Sequence, residues 1–167
     1  RRRRPPLRLT PQIEGGGQER GLRSGTLNVA GIVGLGEACR LSRSEAEADA
    51  VRLGRLRDEL EDRLREALGP GVVVNGHREQ RLPNALNVSF PGIHGTDLLI
   101  ALGDVALSSG SACASGGDTP SYVLTALGRD PATAAASLRF GLGRTTTAAE
   151  VERAAARVIA EVRSCGK

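Results

Sequence analysis

Methionine and tryptophan are absent from this 167-residue sequence, and lysine occurs once, as the last residue, Lys167. Chemistry that runs through an internal lysine, such as a Schiff base, therefore has no residue to use inside the chain. A methionine-free chain opening on Arg1-Arg2-Arg3-Arg4 is expected to be processed or a piece of a longer one. Aromatics make up 2% of the residues, so the core must be Leu, Val, Ile and Ala. Phe90, Tyr122 and Phe140 are also too few to form a stacking platform for bases. The net charge is +4, but 22 arginines against one lysine read as a compositional bias, and no nucleic-acid partner is expected. No apolar run reaches 18 residues, so no membrane span is expected. Cys39, Cys113 and Cys165 lie far apart with no C-x-x-C pair, which argues against a zinc site and a disulfide framework. A reducing, cytoplasmic setting is the simplest.

What remains is ordinary globular material, 40% hydrophobic and 25% charged, long enough for a real core. Five glycines between Gly15 and Thr26 predict a loop, with Thr26 placed to cap a helix over 27–41. Ser42 and Glu45 have capping-box spacing. After them Ala46, Ala50, Leu53, Leu56, Leu60, Leu64 and Leu68 form one apolar stripe on a helix of about six turns, ended by Gly69-Pro70. Short strands are expected over 72–74, 86–90, 105–107 and 138–142, and short helices over 96–102 and from Pro120 to Gly128, with Thr119 as cap. Thr147-x-x-Glu150 opens a last helix with Val151, Ala155, Val158, Ile159 and Val162 on one face. Strands interleaved with helices indicate an α/β or α+β layer structure.

Three places could carry chemistry. Cys113 sits among Ser, Gly and Ala from Ser108 to Gly117. It is either a buried small hydrophobe or an exposed thiol on a loop, able to become a nucleophilic thiolate. Cys39, in an apolar helix, and Cys165, in a frayed tail, both take the first reading. Arg139 alternates with Leu138, Phe140 and Leu142, so period two sends it to the face away from their core. It is either a solvated strand arginine or a planar fork for a carboxylate. The glycine loop ending at Thr26 offers backbone N–H groups and a hydroxyl at a helix start, where phosphate binds readily. His77 and His94 lack ligand partners at metal spacing and read as solvated.

The segments GGGQERGLRSGT (15–26), LPNALNVSFPG (82–92), ALSSGSACAS (106–115), PSYVLTALG (120–128) and SLRFGLGRTTT (137–147) stand in an order that resembles the C-terminal part of a cysteine desulfurase. The resemblance is to the iron–sulfur-assembly and nitrogen-fixation branch of the class V aminotransferase-like enzymes, which have the type I pyridoxal-phosphate fold. It implies that residues 1–45 end the large cofactor domain and connecting helix, that 46–163 form an α+β small domain with a mobile cysteine loop at about 106–119, and that 164–167 are a tail. The cofactor lysine, in a Gly-His-Lys context, is then expected upstream of Arg1, and the chain alone is expected to be inactive.

By the same resemblance Cys113 matches the nucleophile that takes sulfur from L-cysteine, leaving L-alanine and a persulfide. It is also a candidate shared iron–sulfur ligand during transfer. Arg139 matches the arginine that grips the substrate carboxylate. Thr26 matches the threonine that reaches the pyridoxal phosphate of the other subunit, which implies a homodimer. An iron–sulfur scaffold protein is the implied sulfur acceptor. Gln18 in place of a histidine, Ala114, and Gly117-Asp118-Thr119 depart from the family pattern. A selenocysteine or sulfur lyase, and a stand-alone persulfide carrier, are the competing readings.

Overall fold

The computed structural model describes residues 8–109 and 120–165. They divide into two compact units that meet between Glu45 and Ala46.

The first unit holds a loop and the start of a helix. Ser24 is its one buried residue among those described, and its hydroxyl donates to the Ile13 carbonyl at 3.0 Å. Gln18–Gly21 forms a single tight turn in which Glu19 and Arg20 both take positive φ, 50° and 59°. Such values are uncommon for residues with a Cβ. Helix α1 then runs over Val29–Leu68. Its cap is Asn28 and not Thr26: the Asn28 carboxamide oxygen accepts from the Gly31 N–H at 3.0 Å. The cap falls where a side-chain oxygen can reach a free N–H of the first turn, and Thr26 stands two residues too early.

No helix boundary occurs at Ser42–Glu45, because α1 passes through without a break. The Ser44 hydroxyl instead donates back to the Leu41 carbonyl at 3.0 Å, the bond a serine makes inside a helix. Cys39 lies on this helix exposed, not buried.

The second unit is one antiparallel sheet under two helices. Strands β1 (Val73–Val74), β2 (Ala85–Ser89) and β3 (Ser137–Gly141) pair in that order. Val88 faces Val74 on one side and Leu138 on the other. Leu86, Val88 and Phe90, with Leu138, Phe140 and Leu142, form the apolar face. Against it pack Leu53, Leu56, Leu60 and Leu64 of α1, and Val151, Ala155, Val158 and Val162 of α5 (Ala148–Cys165). Both helices are amphipathic with the predicted periods, and each buried Leu or Val contributes on the order of 1.5–3 kcal/mol. At the start of α5 the capping box forms as expected: Glu150 Oε2 accepts from the Thr147 N–H at 2.8 Å. Where a tail is expected at 164, α5 continues through an exposed Cys165.

Among its described residues the unit also has three short helices: α2 (Gly95–Ala101), α3 (Tyr122–Ala126) and α4 (Pro131–Ala135). Helix α4 is absent from the sequence reading, although its signals are plain. The Asp130 carboxylate accepts from the Thr133 N–H at 2.9 Å, and Pro131 occupies the first turn. Helix α3 starts after Ser121, later than expected, and the expected cap Thr119 lies outside the described residues. Gly95 has a packing reason, since a Cβ there would collide with the Ala135 carbonyl. The strand expected over 105–107 does not form. The chain there makes a single bridge to β3, from Ser108 to Arg139.

On α1, Glu61 is 2% exposed inside the second unit. Arg81 reaches it with Nη1 2.8 Å from Oε2, while Arg65 Nε donates to Oε1 at 3.0 Å. The Arg81 contact is off the line a hydrogen bond needs, and Arg81 Nε is buried without a partner.

Candidate functional site

The sheet has a second face, and it is polar. In an antiparallel pair, residues directly opposite one another point to the same side. Asn87 lies opposite Arg139, and Ser89 opposite Ser137. The next position along β1 is Asn75, whose N–H donates to the Asn87 carbonyl at 2.9 Å. Asn75, Asn87, Arg139 and Ser108 therefore make one row across the sheet, turned away from the leucine core.

Arg139 takes the off-core face that its alternation predicts, and it is exposed. Among the described residues its guanidinium makes no hydrogen bond or ion pair. Most other arginines of this unit are engaged: Arg157 with Asp104 and Glu161, Arg52 with two carbonyls, Arg129 with Asn75. An exposed planar fork, unpaired among the described residues and opposite the half-buried Asn87 amide, suits an anion with two oxygens.

Backbone pairing brings the cysteine-bearing segment to this arginine. Arg139 N–H donates to the Ser108 carbonyl at 2.7 Å, and Ser108 N–H returns a bond to the Arg139 carbonyl at 3.3 Å. Ser108 stands five residues before Cys113 in the chain. Cys113 itself, the expected nucleophile and candidate metal ligand, lies outside the described residues.

Thr26 belongs to the first unit. It is exposed, and its hydroxyl has no partner among the described residues. Arg23 braces its carbonyl at 3.1 Å and that of Gly25 at 3.3 Å. Gln18, the departure from the family pattern, closes the loop by accepting from the Gly25 N–H at 3.2 Å. This part of the chain fits one hydroxyl contact to a phosphate. No internal lysine is present to hold a cofactor covalently.

The expected histidines do not assemble a site. His77 Nδ1 accepts from the N–H groups of Glu79 and Gln80, and His94 lies 3.7 Å from Asp97, both exposed. Among the described residues no group of three His, Cys, Asp or Glu side chains has metal-binding geometry. A cleft of about 810 Å³ lies between α5 and residues 104–107, lined by Phe140, Leu142 and Val151. It opens on the core side of β3, opposite Arg139. No helix of the described residues is long and apolar enough to cross a membrane.

Three exposed carboxylates of the second unit are tuned by their partners. The Arg157 guanidinium holds Asp104 below the usual aspartate range. Bonds from Thr133 do the same for Asp130, and the Thr147 N–H and hydroxyl do so for Glu150.

The sequence reading missed Asn75, Asn87 and Arg129. The alternation around Asn87 was visible, but its meaning depends on which strand faces it.

Fold and sheet together define an α/β protein with a polar, arginine-bearing face. The aminotransferase class-V family model matches residues 10–154, so the chain belongs to that family. It is 52% identical over 153 residues to the cysteine desulfurase IscS of Anaeromyxobacter dehalogenans, covering 92% of this chain and 38% of that protein. It is 48% identical over 162 residues to the mouse cysteine desulfurase, covering 97% of this chain and 35% of that protein. The X-ray structure of a NifS-like protein from Rickettsia africae superposes with a TM-score of 0.76 at 30% identity, covering 95% of this chain and 41% of the other. The chain thus spans about two fifths of the proteins it matches, and its α/β fold is that of the type I pyridoxal-phosphate enzymes.

Proposed function

We propose that this chain is the C-terminal part of a cysteine desulfurase that removes sulfur from L-cysteine. On this reading residues 1–45 end the cofactor domain and 46–163 form the small domain. The observation that carries it is the paired backbone of Ser108 and Arg139, which puts the root of the Cys113 segment beside an arginine whose side chain has no partner among the described residues. The likeness to named cysteine desulfurases supports the same reading.

Bound pyridoxal phosphate supplies the electron sink that allows the carbon–sulfur bond of the substrate to break. Arg139 binds the substrate carboxylate with its guanidinium. The Cys113 thiolate takes the substrate's sulfur, so that L-cysteine and one enzyme thiol become L-alanine and one persulfide. Thr26 donates its hydroxyl to the phosphate of the other subunit's cofactor, which makes the working unit a homodimer. An iron–sulfur scaffold protein or another acceptor then takes the sulfur, in a cytoplasmic setting. Iron is cargo of that transfer, with Cys113 as its shared ligand.

The test is Cys113→Ser in the full-length enzyme. The expected result is retained cofactor absorbance with sulfur transfer abolished. Unchanged alanine and sulfide production would remove Cys113 from the reaction and the reading with it.

A further inference from the structure

The polar row contains a chain of hydrogen bonds whose direction can be read without ambiguity. It starts at Arg129, just past α3. A guanidinium can only donate, so the Asn75 atom 2.7 Å from Arg129 Nε must be the carboxamide oxygen. Arg129 also donates to the Val74 carbonyl at 2.9 Å, which fixes its plane against β1. The other end of the Asn75 amide is then its NH₂ group. Its two hydrogens go to Asn87 Oδ1 at 2.7 Å and Ser89 Oγ at 2.8 Å. Asn75 is 6% exposed and has no remaining freedom to turn over.

The orientation passes on to Asn87. Its oxygen is taken by Asn75, so its own NH₂ group must face the other way. Among the described residues those two hydrogens have no acceptor, although Asn87 is half-buried. Directly opposite is Arg139, which is also all donor and also without a partner among the described residues. Residues in that relation have Cβ atoms about 4.5–5.5 Å apart. Two donor groups side by side, without an acceptor among the described residues and one of them cationic, suit an anion with at least two acceptor oxygens.

We infer that Asn87 is a second binding residue for the substrate carboxylate, alongside Arg139, with Asn75 and Arg129 as positioning residues that set its amide. This rests on the desulfurase reading of Arg139. Asn87 supplies neutral donors at a fixed angle, and Arg139 supplies the charge. Together they hold the carboxylate plane, and with it the substrate, next to the Ser108 end of the cysteine segment.

The experiment uses the full-length enzyme loaded with cofactor and four variants: Asn87→Asp, Asn87→Ala, Arg129→Met and Arg139→Ala. The readouts are KM and kcat for L-cysteine, and the inhibition constant of L-alanine, which carries the same carboxylate but no thiol. Asn87→Asp keeps the oxygen that Asn75 needs and replaces donors by a negative charge. It should raise KM and the L-alanine constant about tenfold or more, with kcat within about threefold. Asn87→Ala should move both constants in the same direction, by less, and stands in should Asn87→Asp fail to fold. Arg129→Met should raise KM about threefold by freeing the Asn75 amide to turn. A kcat that falls while KM and the L-alanine constant stay put would assign Asn87 a structural role and overturn the inference. Arg139→Ala separates the two levels. If it raises KM and neither Asn87 variant does, the Asn87 assignment alone fails. If it leaves KM unmoved, the carboxylate grip fails and the desulfurase reading of Arg139 with it.

Discussion

Helix α1 belongs to both units, and its two ends behave differently. In the second unit Leu53, Leu56, Leu60 and Leu64 recur at helical steps, and all are buried against the sheet. In the first unit Val29, Ile32, Val33 and Leu35 also crowd together, yet they are 64%, 55%, 65% and 67% exposed. Every buried apolar side chain among the described residues lies in the second unit. An apolar pattern therefore says which face of a helix seeks cover. It does not say whether cover is present within the same stretch of chain. Stability in the second unit comes from a shared core, and in the described part of the first from hydrogen bonds that span at most eleven residues, such as Ser24 to Ile13.

That contrast can be broken by substitution. Phe90 is fully buried, and Phe90→Ala should destabilise the chain by about 4 kcal/mol, read as a lower denaturant midpoint. Val33→Ala, the matching change in the first unit, should stay within about 0.5 kcal/mol. A shift as large as that of Phe90→Ala would mean that the first unit has a core of its own. Next in size is Arg81→Ala, expected near 3 kcal/mol, because Glu61 is left charged and buried with Arg65 alone.

Capping sharpens the comparison further. Thr147→Ala should lower global stability by about 1 kcal/mol, since α5 is packed on the sheet. Asn28→Ala should leave the midpoint unchanged and speed amide exchange at Gly31 and Ile32, a local effect only. The smallest effect is expected in acid. Asp104, Asp130 and Glu150 are held below their ordinary values of 3.8, 3.8 and 4.5 in the folded chain. The unfolded chain then binds more protons in that range, so their stabilising contribution is present above those values and is lost as pH falls through the lower, folded ones. All three are exposed, so the slope is shallow. Added salt should weaken the Asp104–Arg157 share first, seen as a smaller acid shift.

Much of the second unit is legible in the residues. The leucine stripe, the Thr147–Glu150 box and the alternation in β2 and β3 are local patterns, and each forms nearly where it is expected. The failures are also local. Ser42 and Glu45 have capping-box spacing, but no Gly or Pro breaks the helix around them, so α1 continues. Residues 105–107 have strand composition but form no strand, because the chain meets β3 only at Ser108. Helix α4 was overlooked in spite of its Asp-Pro start. Thr26 precedes the helix by too much to cap it.

For the candidate site, the residues alone determine that Arg139 turns away from the core, because side chains alternate along a strand. They also determine the chemistry available: a thiol at Cys113 among small residues, no internal lysine, and arginine as almost the whole supply of positive charge. Which groups meet was decided by the tertiary structure. Asn75, Asn87, Ser108, Arg129 and Arg139 are spread over more than sixty residues, and nothing in their spacing joins them. Strand register puts Asn87 opposite Arg139, and one guanidinium at Arg129 settles which way two amides point. Hydrogen-bond direction is a property of neighbours in space, and only the folded chain supplies those neighbours.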